Sequence, residues 1–173
     1  ADPLQESRLN LQTIHLITAG GTIDKRYNPL SGELDVGPPV AGNILTQAGI
    51  SPDHYLLTEC LRKDSLAMDD ADRERLAAQV AASTARCILI THGTDTMGLS
   101  AALIETRSGE KTVVLTGAMV PWQIDGSDAE FNVGFAFAAV QTLPAGVYIA
   151  MHGRALPHRQ HIKDRTQGRF IAM

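Results

Sequence analysis

Cysteine is scarce in this 173-residue chain: Cys60 and Cys87 are the only two, and both sit inside apolar stretches ("LLTECL" and "RCILI"). They have neither CxxC nor Cys/His zinc spacing, which argues against a disulfide framework or a metal site and leaves two buried thiols. No apolar run approaches the ~20 residues of a membrane span, and the opening "ADPLQESRLN" has no apolar core of signal-peptide length. A dense Lys/Arg cluster is also missing. With 15 basic and 19 acidic residues the net charge is −4, which argues against a basic face for nucleic acid. Neither G-x-G-x-x-G nor G-x-x-x-x-G-K-[ST] occurs, so a nucleotide site has weak support. These absences lead to the expectation of a cytoplasmic protein with no nucleic-acid, membrane or metal partner.

The residues that are present describe a globular domain, 44% hydrophobic and 20% charged. The length suits one well-filled domain. Residues 1–12 read as an N-terminal extension, and 13–173 as the domain. The lack of an initial Met points to processing or a cloning remnant. Strand-length apolar runs recur: "TIHLITA" (13–19), "HYLLTECL" (54–61), "RCILITH" (86–92), "KTVVLTG" (111–117) and "GVYIAMH" (146–152). Their continuous character suits strands covered on both faces. Between them lie helical segments. "DDADRERLAAQVAAS" opens on acids and carries Leu76, Ala77, Val80 and Ala81 along one stripe. "LSAALIETR" carries Leu99, Ala102, Leu103 and Thr106, and "AEFNVGFAFAAVQTL" carries Phe131, Phe135, Ala138 and Ala139. "GNILTQAG" is a fourth, ending on a glycine. The alternation predicts a single-domain α/β fold: a doubly wound, Rossmann- or flavodoxin-like, mostly parallel sheet with helices on both faces. The Gly/Pro-rich segment 26–39 reads as a surface excursion, either a lid or a plain loop.

Ligands of such sheets bind beyond the carboxyl ends of the strands. The first run leads there to "AGGTIDKRY" with Thr22, the second to "RKDSLAMDD" with Ser65, and the third to "HGTDT" with Thr94 and Asp95. The fourth leads to the turn "GAMVPW", and the fifth to a polar stretch holding Lys163. Taken singly, the threonines, aspartate and serine are also ordinary helix caps or turn residues, and the lysine an ordinary surface charge. As a set at one sheet edge they suit acyl transfer. A threonine hydroxyl needs a proton acceptor, a lysine amine can supply one, and an aspartate can orient the ammonium. Gly20 and Gly21 would let backbone N–H groups approach a developing oxyanion. His15 and His92 read as satisfied core or edge histidines, and "HGRALPHRQH" as a polar loop.

"ITAGGTIDK" and "ITHGTDTM", in that order and each after a strand, with "DSLAMDD", "LTGAM", "FNVGFAFAAV" and "VYIAMHGRALPHRQHIKD", resemble the bacterial L-asparaginase/glutaminase family over residues 13 to 165. The resemblance implies Thr22 as nucleophile, with Tyr27 of a mobile loop assisting it. It also implies Thr94 with Lys163 as proton relay, Asp95 on the substrate α-ammonium, Ser65 on its α-carboxylate, Gly21 at the substrate and the Ala118 carbonyl on the amide nitrogen. It further implies hydrolysis of L-asparagine to L-aspartate and ammonia without a cofactor, by a homo-oligomer (dimer or tetramer); the preference between L-asparagine and L-glutamine stays open. Family members are about twice this length and carry a second, C-terminal domain, so the chain reads as a short-chain form or a fragment. Leu66 stands where many members have Gln, and Val120 where Arg is frequent. Two other readings stay open: an amidotransferase component that deamidates glutamine beside a partner, and a non-catalytic amino-acid sensor.

Overall fold

In the computed structural model, residues 13–172 are described; the extension read over 1–12 lies outside them. Five parallel strands form the centre: β1 (Ile14–Gly20), β4 (Tyr55–Lys63), β5 (Cys87–Thr91), β6 (Thr112–Thr116) and β7 (Gly146–Met151). β8 (Arg154–Pro157) closes one edge antiparallel to β7, giving the order β4-β1-β5-β6-β7-β8. Counting only the parallel strands, this is the 2-1-3-4-5 order of flavodoxin-like sheets, whose direction reverses between the first and third strands. Here that switch point lies between β1 and β5, the strands that lead to the two threonine motifs. Two ribbons stand apart from this sheet: β2 (Lys25–Asn28) with β3 (Glu33–Val36), and β9 (His161–Asp164) with β10 (Arg169–Ala172).

Helices α1 (Ala41–Gln47) and α4 (Ala129–Thr142) cover one face, packing Ile44, Leu45, Val133, Ala136 and Val140 on Ile14, Leu16, Leu89 and Val114. Helices α2 (Asp70–Ala82) and α3 (Met97–Glu105) cover the other, where Leu76, Val80, Met97 and Ile104 meet Ile17, Ile88, Ile90 and Leu115. The acids at the start of α2 form a capping box: Asp69 accepts from the Asp72 N–H at 2.8 Å, and Asp72 from the Asp69 N–H at 3.1 Å. Neither cysteine forms a disulfide, and no described helix is long and apolar enough to cross a membrane.

Four expectations are corrected. β4 is an edge strand, not one covered on both faces; Leu56 is 57% exposed, because an apolar run does not distinguish an edge from a centre. In α3 the buried stripe is Met97, Ser100, Ala101 and Ile104, not the one containing Leu99. In α4 it is Ala129, Asn132, Val133, Ala136, Ala139 and Val140 rather than the stripe through Phe131, which stacks on Phe135 with centroids 6.1 Å apart and is largely exposed. Small residues (Ser100 and Ala101 on α3, Ala129, Ala136 and Ala139 on α4) alternate with Met97, Ile104, Val133 and Val140 on the sheet-facing sides, which lets the helices pack closely. The polar loop read over 152–161 contains β8 and a 3-10 turn, with His158 buried near Glu105.

The excursion at 26–39 is the β2–β3 hairpin, closed at its base by Asp24. Its backbone carbonyl accepts from the Gly37 N–H at 2.9 Å and its carboxylate from the Val40 N–H at 3.0 Å. Burial raises the Asp24 carboxyl from 3.8 to about 6, with a smaller push from Glu59, against opposing help from the Val40 N–H and Arg62. A folded-state pKa above the unfolded one means that the native chain binds more protons between these values, so stability falls as pH rises through that window. The displacement corresponds to roughly 3 kcal/mol above pH 6. Asp24→Asn, which keeps the acceptor, should therefore melt higher than wild type at pH 8. That advantage should shrink below pH 6 and vanish near pH 4, whereas a pH-independent difference in thermal melts would contradict the assignment.

Candidate active site

β1 ends on Gly20, which Gly21 follows, at φ +90 and +93. The Gly21 N–H donates to the Lys63 carbonyl at 2.9 Å, tying this turn to the end of β4. A Cβ on Gly21 would lie 2.4 Å from the Gly93 nitrogen, so the two threonine motifs touch through bare backbone. Gly93 in turn abuts Ser65: its Cβ would lie 2.6 Å from the Ser65 Cβ and 2.7 Å from its Oγ. Loops from β1, β4 and β5 thus converge at the switch point. Thr22 opens the short turn that follows, half-buried, and its hydroxyl makes no hydrogen bond among the described residues.

The β5 loop is held from below by His92. A carbonyl only accepts, so Nδ1 carries the proton it shares with the Gly93 oxygen at 2.7 Å, and Nε2 accepts from the Ser100 hydroxyl at 2.7 Å. Burial lowers its pKa to about 4, keeping the ring neutral. This satisfied histidine shapes the loop that presents Thr94 and Asp95. Lys163, on β9, donates to Thr94 Oγ1 at 2.7 Å and to Asp95 Oδ1 at 2.8 Å. Arg165 adds a second cation at the same carboxylate oxygen, 2.9 Å away.

Ser65 is buried, and its hydroxyl oxygen accepts from the Thr96 N–H at 3.3 Å while its carbonyl accepts from the Thr96 hydroxyl at 2.9 Å. With its acceptor side engaged, the serine O–H remains free to donate to an anion. The preceding Asp64 pairs with Lys25 at 2.7 Å, and that ammonium holds its carboxyl below the usual range. The pair joins the hairpin base to the serine loop.

Ala118 is 1% exposed in the turn after β6. That turn rests on Asp128, whose carboxylate accepts from the N–H groups of Met119 and Val120 at 3.0 Å and lies 2.7 Å from His152 Nε2. Burial alone would raise this carboxyl; the two N–H groups and the ring outweigh it and lower it. Asn132, fully buried, donates to the Gly117 carbonyl at 2.9 Å and accepts from the His152 N–H at 3.0 Å.

The structure therefore brings Thr94, Asp95 and Lys163 into one hydrogen-bonded cluster and sets Gly21 and Ser65 against Gly93 beside them. Tyr27 is not joined to it: the ring is 64% exposed on β2, in a groove lined by Arg26, Asn28, Pro29, Asp35 and Val36 of its own hairpin. Sequence reasoning missed Thr96, Asp128, Asn132, His152 and Arg165. Asp128 and Asn132 had a signal: one turn apart, they are polar positions at the start of an otherwise apolar helix.

A flavodoxin-like sheet with a lysine-paired threonine at its switch point defines a class, and similarity to known proteins gives the family. The family model for the asparaginase N-terminal domain matches residues 13–170; the chain belongs to the asparaginase family. The thermostable L-asparaginase from Thermococcus kodakarensis is similar in structure, with TM-score 0.80 and 25% identity, covering 93% of this chain and 51% of its own. A probable cytoplasmic L-asparaginase from Campylobacter jejuni gives TM-score 0.75 and 25% identity, with coverage of 93% and 53%. Among curated relatives, one subunit of the glutamyl-tRNA(Gln) amidotransferase of Methanococcus vannielii is 30% identical over 86% of this chain and 36% of its own length. The same subunit from Pyrococcus furiosus is 31% identical, with coverage of 86% and 35%. The chain thus spans about a third of the length of these curated relatives and about half that of the solved asparaginases.

Gly93→Ala tests the convergence. The added methyl must displace Ser65, at about 1–3 kcal/mol for overpacking. The melting temperature should fall by several degrees while ligand binding or turnover falls much further; a variant that keeps both would show that the loops have room to separate.

Proposed function

We propose that this domain hydrolyses the side-chain amide of a free amino acid, with L-asparagine the preferred substrate, through a threonine acyl-enzyme. The observation that carries the reading is the Lys163 ammonium within 2.7 Å of Thr94 Oγ1 and 2.8 Å of Asp95 Oδ1, beside the turn that presents Thr22. In the reading, Thr22 Oγ attacks the amide carbon with Tyr27 assisting, and its proton is delivered to the departing nitrogen, so that the C–N bond breaks and ammonia leaves. Water that gives one proton, by way of Thr94, to the free-amine form of Lys163 then attacks the ester carbon; the C–O bond to Thr22 breaks, Thr22 Oγ takes the second water proton, and the carboxylate product departs. Asp95 holds the ammonium that Lys163 becomes after taking the water's proton, and also orients the substrate α-ammonium. Ser65 O–H addresses the α-carboxylate, and Ala118 and Gly21 offer backbone groups to the amide and the developing oxyanion. Such proton transfer is worth about 10²–10⁴-fold and an oxyanion donor about 10²–10³-fold. The expected protein acts without a cofactor, in the cytoplasm, as a homo-oligomer.

The amidotransferase reading is kept because of the amidotransferase relatives at 30% and 31% identity. On that reading the same site would release ammonia from glutamine for a partner. Ammonia release from L-asparagine, L-glutamine and D-asparagine, assayed side by side without partner, ATP or tRNA, separates the two. Fastest release from L-asparagine supports the hydrolase, whereas no release from asparagine, with at most slow release from L-glutamine, supports the amidotransferase.

Lys163→Met should cut turnover by about 100-fold or more. Arg165 stays on the Asp95 carboxylate in this variant, so the stability loss should be only about 1 kcal/mol. Thermal melts beside the ammonia assay check both; a loss of folding that matches the loss of rate would make the lysine structural.

A further inference from the structure

We infer that Arg165 is a specificity-determining residue, an exchangeable cation that competes with the α-ammonium of an incoming amino acid for Asp95. The inference rests on the substrate-orienting role proposed above for Asp95 and goes beyond it. Both cations of the cluster, Lys163 Nζ at 2.8 Å and Arg165 Nη2 at 2.9 Å, bear on the single oxygen Oδ1. They are not equivalent. The Lys163 side chain is 17% exposed and also bonded to Thr94, whereas that of Arg165 is 65% exposed and has no other partner among the described residues.

The backbone beneath Arg165 is fixed independently of that contact. It lies in the turn between β9 and β10, where Asp164 accepts from the Thr166 N–H at 2.9 Å, the Thr166 hydroxyl at 2.6 Å and the Gln167 N–H at 3.2 Å. The guanidinium can therefore leave Asp95 without the turn unfolding. An exposed ion pair contributes little to stability, so an arriving ammonium can displace it, at a corresponding small loss of affinity. A ligand without an ammonium leaves Arg165 in place and loses nothing. The arginine thus narrows the advantage that an α-amino substrate would otherwise hold over its des-amino analogue.

The test compares L-asparagine with succinamate, the same monoamide without the ammonium, on wild type, Arg165→Gln and Arg165→Lys, with thermal melts to verify folding. Arg165→Gln should raise the asparagine-to-succinamate ratio of kcat/KM about two- to fivefold, through a lower KM for asparagine, and Arg165→Lys should return the ratio toward wild type. Equal changes for both substrates, or no change in the ratio, overturn the inference while leaving hydrolysis intact. Calorimetric binding of L-aspartate against succinate reads the same preference without turnover. If no amide is cleaved but Arg165→Gln still tightens aspartate relative to succinate, the hydrolase reading falls and the competition stands. If neither ligand binds any protein, the inference falls with it.

Discussion

Two loops can share one switch point only if neither carries a side chain where they meet. Gly21 and Gly93 meet that condition, and Gly93 meets it again against Ser65. The contact is backbone on backbone, so the spacing of the two threonine turns is set by van der Waals radii rather than by adaptable side-chain packing. Three hydroxyl residues at this edge are registered to that contact: Thr22 one residue beyond Gly21, Thr94 one beyond Gly93, and Ser65 against the same glycine. The sheet supplies the rest of the rigidity, since β1 and β5 pair in continuous parallel register from Ile14↔Cys87 to Thr18↔Thr91.

Around this contact the polar groups divide their work. His92 and Ser100 support the β5 loop from within the core, and the neutral ring avoids placing a charge there. Asp128, Asn132 and His152 do the same for the turn after β6, linking α4 to the end of β7. Charge is concentrated instead at the half-exposed rim, in Lys163, Asp95 and Arg165 and in the Lys25–Asp64 pair. There water still shares the cost of ionisation.

Much of this was legible in the sequence. The apolar runs marked the five parallel strands and the acids of "DDADRE" the start of α2, because both signals are local. The phase of α3 and α4 was not, since the large residues Leu99 and Phe131 drew the stripe toward themselves while Ser100, Ala101, Asn132 and Ala136 do the packing. Asn132 on a sheet-facing helix looks like an error of patterning until its bonds to Gly117 and His152 are seen. The threonine motifs could be found by the strand-end rule and their likeness to a family. Lys163 could be reached by the same two routes, although nothing local distinguishes it from a surface lysine. Arg165 carries no signal at all, as its role depends on a carboxylate seventy positions earlier in the chain.

The amine that bonds Thr94 is carried on a two-stranded ribbon outside the main sheet. Such ribbons are marginal in isolation, and this one is secured by Phe170, which packs at the edge of the α2/α3 core and meets the His161 ring at 6.0 Å. The two threonines thus follow strands of the six-stranded sheet, while the amine sits on a separate two-stranded ribbon. Local opening of residues 161–172 would carry the Lys163 amine away from Thr94 and Asp95 and leave both threonine turns standing on the main sheet.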